Sequence, residues 1–143
     1  MKISTDTRNV LKNFSTINSG IRVKSGNKLE TISNMKNILA VATVDESFPQ
    51  DFSIYNLPEF LGATSLMTDP DFQFGDASLT VADENSSLAY FYASEGMVVA
   101  PDKMITMPEA EINIEISSTL LSELQKAASV LGVNDLVLSS DGN

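Results

Sequence analysis

The stretch STDTRNVLKNFSTINSGIRVK, residues 4–24, decides how the chain begins. Ser4 or Thr5 is placed to cap a helix with its hydroxyl, and Asp6 follows where the helix dipole favours an anion. Val10, Leu11, Phe14 and Ile17 then recur at helical spacing and form one apolar face. Arg8 and Lys12 lie one turn apart and point almost directly away from that face. Gly20 is expected to stop the helix as a left-handed residue, after which 21–24 alternates apolar and cationic as a strand does. With Ser25-Gly26-Asn27 as the turn, the expectation is a helix followed by a hairpin.

Downstream, strands are expected at 28–32 and 38–44, joined through 34–37, and another at 51–55. Asn56 caps a second helix, with Pro58 in its first turn, Glu59 at the capping-box spacing and Leu57, Phe60, Leu61 and Thr64 on one face. Asp69-Pro70 should end it. The alternating runs at 79–82 and 88–93 form an antiparallel pair across a polar turn. Upstream of the helix at 4–17, Lys2-Ile3 suits a short strand.

Beyond residue 98 the chain reads as a connector, bounded by Pro101 and Pro108, and then starts again. Ile112, Ile114 and Ile116 alternate as a strand. Ser117 or Ser118 caps a helix carrying Leu120, Leu121, Leu124, Ala128 and Leu131, Gly132 stops it, and 136–138 begins another strand. An offset of about 113 positions superposes Ile3-Ser4-Thr5 on Ile116-Ser117-Ser118 and Leu11 on Leu124. The expected organisation is a first domain at 1–98, a connector at 99–109 and the start of a second, incomplete domain at 110–143. Asp141-Gly142 signals a hairpin whose return strand is not in the sequence, so the exposed edge is expected to pair with another copy.

Charge is distributed unevenly along this plan. Seven of the nine basic residues lie in the first 36 positions with only Asp6 and Glu30 against them, whereas from Asn37 onward two cations face seventeen carboxylates. A start near +5 joined to a body near −15 gives the net −10, a field that attracts a polyanion at one surface and rejects it elsewhere. With neither Cys nor His, the chain has no disulfide, thiolate, imidazole base or usual zinc ligand. No apolar run approaches the roughly 20 residues that span a bilayer. No membrane partner or secretory signal is read, and the expected compartment is the cytoplasm.

Leu11-Lys12-Asn13-Phe14, Thr16-Ile17-Asn18-Ser19-Gly20-Ile21 and Lys24-Ser25-Gly26 resemble the start of the sliding clamps of T-even-type bacteriophages. The resemblance continues through Asp51-Phe52-Ser53-Ile54-Tyr55-Asn56-Leu57, Phe60-Leu61-Gly62, Val81-Ala82-Asp83 and Val98-Val99-Ala100-Pro101, and is looser beyond Glu109. It implies an α+β fold of the DNA-clamp type, with helices packed on one face of an antiparallel sheet. It also implies a non-catalytic processivity factor, without cofactor or metal, that encircles duplex DNA in a ring and tethers the replicative polymerase. Duplex DNA, the polymerase, a clamp loader and further copies of the chain are the implied partners, with the partner-peptide pocket near the interdomain connector. Arg8 and Lys12 are then the expected DNA-facing residues, joined by Lys2 just before the first helix and Lys126 on the repeated one. An incomplete second domain would leave this chain unable to close a ring alone.

Each of these residues also has a plainer reading. Exposed cations on a helix are by default a solvated face, and it is the resemblance that turns Arg8 and Lys12 toward DNA. Arg22 and Lys24 equally suit protection of a sheet edge, and Lys103 simple solvation. Asp69 with Asp71, or Asp83 with Glu84, would serve a carboxylate-based hydrolase or a metal, but Asp-Pro-Asp and Asp-Glu-Asn are common turn compositions. In Tyr90-Phe91-Tyr92, strand alternation separates Phe91 from the two tyrosines. This favours a core phenylalanine with a surface tyrosine pair over base stacking. A phage structural or assembly module is the other alternative, and it would lack cations gathered on a concave helical side.

Overall fold

The computed structural model describes residues 1–94, 96–103 and 108–139, which fall into two compact units, Met1–Met104 and Ile105–Asn143. The first unit opens with helix α1 (Thr5–Ile17), capped by the Ser4 hydroxyl, which accepts the Thr7 amide at 3.2 Å. Strands β1 (Ile21–Val23), β2 (Gly26–Ile32), β3 (Leu39–Phe48) and β4 (Phe52–Ile54) follow. Helix α2 (Leu57–Thr64) leads into β5 (Asp71–Phe74), β6 (Ser78–Ala82) and β7 (Ser87–Phe91). All ladders are antiparallel: β1 with β4, β2 with β3, and the meander β5-β6-β7. This is an α+β domain in which α1 packs against α2 and the β2-β3 hairpin.

Burial follows the sequence periods. Leu11 and Phe14 of α1, Ile21 and Val23 of β1, Leu57 and Phe60 of α2, and Leu79 and Val81 of β6 all enter one core, with Leu29, Phe48, Phe52 and Phe72. Aromatic rings cross-link it: Phe52 lies 5.3 Å from Phe74 and 5.6 Å from Tyr92 between centroids, and Phe60 lies 5.2 Å from Tyr90, within the favourable range.

Several expectations are corrected. Strand β1 does not hairpin with β2; Ile21, Arg22 and Val23 pair with Ile54, Ser53 and Phe52. Gly26, at φ +111°, and a register shift before Lys28 redirect the chain so that β2 joins β3 instead. Gly20 is not left-handed. Helix α1 ends at Asn18, whose backbone is already extended, and Gly20 is small because a Cβ there would meet Val98 Cγ1 at 3.0 Å and the Ile54 carbonyl oxygen at 3.3 Å. Lys2-Ile3 is not a strand, although Met1 and Phe72 exchange two backbone hydrogen bonds of 2.8 Å.

Helix α2 stops at Thr64 rather than at Asp69-Pro70, and Asp71-Phe72-Gln73-Phe74 forms a further strand with Phe72 buried. The aromatic triplet is reversed. Register pairs Leu79 with Tyr90 and Val81 with Leu88, and directly opposed residues share a face, so Tyr90 turns inward with the buried Leu79. Phe91 is consequently 74% exposed.

In the second unit, α3 (Ser118–Leu131) is capped by Ser117, which accepts the Leu120 amide at 3.1 Å, and ends at left-handed Gly132, φ +67°. Ser4 and Ser117 therefore cap helices whose first residues, Thr5 and Ser118, stand 113 positions apart. The strands expected at 112–116 and 136–138 do not form: a strand needs a ladder partner, and the described residues of this unit offer none. No residue of α3 is buried. The centre of the connector, residues 104–107, and the Asp141-Gly142 signal lie outside the described residues. None of the described helices is long and apolar enough to cross a membrane.

Candidate nucleic-acid interface

The buried stripe of α1 consists of Thr7, Leu11 and Phe14, with Val10 and Ile17 only half-buried. Thr7 is admitted to the interior because its hydroxyl donates to Glu46 Oε2 on β3. The other Glu46 oxygen accepts the Ser4 amide, so a carboxylate from the sheet sits at the positive end of the helix. Burial pushes the Glu46 pKa up, but the hydrogen bonds from Thr7 and Ser4 outweigh it and the net shift is downward.

This stripe rotates the helix relative to the sequence expectation. Lys12 sits about 130° and Arg8 about 90° round the helix from its centre. Lys12 is accordingly exposed, while Arg8 lies half-buried on the flank. Thr5, Asp6, Asn9, Asn13 and Thr16 complete the exposed face, and Asp6 is the only acid on the helix. Arg8 and Lys12 make no ion pair among the described residues.

Lys2 is differently placed. Its ammonium donates to Asp69 Oδ2 at 3.0 Å and to the Asp69 carbonyl oxygen. Lys126 is exposed on α3, in the second unit. Arg22, read as an edge protector, instead reaches the segment that follows β7: its guanidinium donates to the Pro101 carbonyl at 3.0 Å and to Asp102 at 3.4 Å. Lys24 and Lys103 are exposed, and Lys28 pairs with Glu30 at 2.8 Å.

Asp69, Asp71, Asp83 and Glu84 do border one open hollow, together with Lys2. Two of them are already engaged by other groups of the fold. Asp71 binds the amino terminus at 2.6 Å, and that hydrogen bond lowers its pKa. Asp83 accepts the Thr68, Asn85 and Ser86 amides and the Ser86 hydroxyl, which bring its pKa to about 2. General acid catalysis requires a carboxyl held protonated near neutrality, and these two move the other way. Among the described residues no three Asp or Glu side chains are grouped to hold a metal ion.

The countercharges Glu46 and Asp69 were not legible as such. Nothing in the spacing links Glu46 to Ser4, or Asp69 to Lys2, because folding alone brings them together.

Comparison with known proteins adds to this geometry. The family model described as DNA polymerase processivity factor matches residues 4–100. The chain is similar to the sliding clamp of Enterobacteria phage T4, 36% identical over 141 residues that cover 97% of this chain and 62% of that protein. It is similar to the sliding clamp of Escherichia phage RB69, 30% identical over 143 residues and covering 98% and 62%. It also resembles that of Vibrio phage KVP40, 28% identical over 145 residues and covering 99% and 66%. The chain thus spans less than two thirds of the length of each of these relatives.

Proposed function

We infer the function of this chain from its family: it belongs to the DNA polymerase processivity factors. It acts as a sliding-clamp component that holds a replicative polymerase on duplex DNA without catalysing a reaction. Arg8 and Lys12 face the duplex, and Lys126 contributes from the repeated helix. The single observation that carries this reading is helix α1, where exposed Lys12 and half-buried Arg8, without ion partners among the described residues, stand beside uncharged Asn9, Asn13 and Thr16 with Asp6 as the one acid of the helix, in a chain of net charge −10.

Contacts of this kind go to phosphates, so they position the protein without reading sequence. Two phosphate contacts correspond to a log–log salt slope of about −1.8, and free duplex should bind with a dissociation constant on the order of 10⁻⁴ M or weaker. Retention must therefore come mainly from encirclement. A ring of several copies, loaded by a clamp loader in the host cytoplasm, would provide it. The carboxylates outside α1 disfavour any other mode of DNA binding.

Replacing both Arg8 and Lys12 by Ala tests the reading in a low-salt titration with a short blunt duplex. The expected result is loss of most of the salt-dependent affinity, with folding stability within about 0.5 kcal/mol of the parent. Undiminished binding would take α1 out of the DNA-facing role.

A further inference from the structure

Lys2 and Arg8 line one open hollow at the start of α1, together with Ser4, Thr5, Glu46 and Asp69. Two cations there meet two carboxylates, and the carboxylates are already committed. Glu46 is bonded to Ser4 and Thr7, while Asp69 turns both its carboxylate and its carbonyl oxygen onto the single ammonium of Lys2. That double grip depends on backbone shape: Asp69 lies at φ +48°, the left-handed region that non-glycine residues rarely enter and that Asp and Asn tolerate best.

We propose that Asp69 is a restraining residue that holds Lys2 back from DNA phosphates and so weakens the grip of the α1 face on the duplex. The proposal rests on the DNA-facing reading of Arg8 and Lys12. With Lys2 engaged, the α1 face is left with Arg8 and Lys12 as its cations without an ion partner among the described residues, where a released Lys2 would make a third. An exposed ion pair is a weak latch, so it biases the contact without abolishing it. Each phosphate contact adds counterion release and residence, and a tether that must move along DNA is served by fewer of them.

The test is D69N in the full chain, titrated with a short blunt duplex between about 50 and 200 mM salt. Asn removes the charge and keeps the left-handed backbone. The salt slope should steepen by about 0.9 and low-salt affinity should rise, by up to about fivefold. The same D69N change in a K2A background should have no effect, and D76N, an equal change of charge in the exposed turn between β5 and β6, should leave the slope unaltered.

An unaltered slope in D69N overturns the inference, as does an equal steepening in D76N or in the K2A background. R8A/K12A run in the same titration separates the two levels. If that pair weakens binding while D69N is silent, the restraint alone is wrong; if the pair is silent too, the DNA-facing reading beneath it falls.

Discussion

The side-chain amide of Asn18 donates at 2.9 Å to the carbonyl oxygen of Val99, 81 residues further along the chain. The same nitrogen donates at 2.8 Å to the Ile32 carbonyl, and Asn18 Oδ1 accepts the Gly20 amide at 3.0 Å. One buried amide therefore ties the end of α1, the end of β2 and the segment leaving the first unit. Arg22 holds that segment again at Pro101, and Val98 packs against Gly20.

Asn18→Leu should destabilise the first unit by about 2–4 kcal/mol, because Ile32 and Val99 each lose a buried partner and the Gly20 amide is left unsatisfied. Asn18→Asp should also destabilise, since a carboxylate cannot donate to two carbonyls. Urea denaturation checks both. Hydrogen exchange should rise selectively at residues 99–103, and protection equal to the parent there would refute the tie.

Stability should fall with acid in a defined window. Asp83, with a folded pKa near 2, and Glu46 and Asp71, both lowered, bind protons less readily when folded than when unfolded. Their contribution is therefore complete above the unfolded values near 4 and is lost as pH drops through the folded ones. Asp83→Asn should flatten the Tm profile between about pH 4 and 2. An unchanged acid limb in thermal scans would remove Asp83 from it.

The reversed aromatic triplet makes a paired prediction. Phe91→Ser, on the exposed face of β7, should change stability by no more than about 0.5 kcal/mol. Leu79→Ala, in the core opposite Tyr90, should cost about 2–5 kcal/mol. Comparable effects in chemical denaturation would contradict the register of β6 and β7.

Local physics makes much of this legible in the sequence. Ser4, Asn56 and Ser117 cap helices because a hydroxyl or amide oxygen next to the first turn has an amide within reach, a relationship spanning three residues. Ile21 and Val23, or Leu79 and Val81, share a face because strand geometry repeats every two residues. Elsewhere a partner from far along the chain chooses among the local options. Val98 and Ile54 explain Gly20, β4 displaces β2 as the neighbour of β1, and Leu79 selects which side of the triplet faces inward.

The function divides in the same way. Sequence alone established the helix bearing Arg8 and Lys12, the concentration of cations in the first 36 residues, and a repeat of capped helices, because each follows from nearest-neighbour spacing or from counting charges. Only the tertiary structure decided which cations are available. Asp69 reaches Lys2 across 67 positions and Glu46 reaches Ser4 across 42, separations at which ion pairs and caps depend on chain topology and leave no periodic trace.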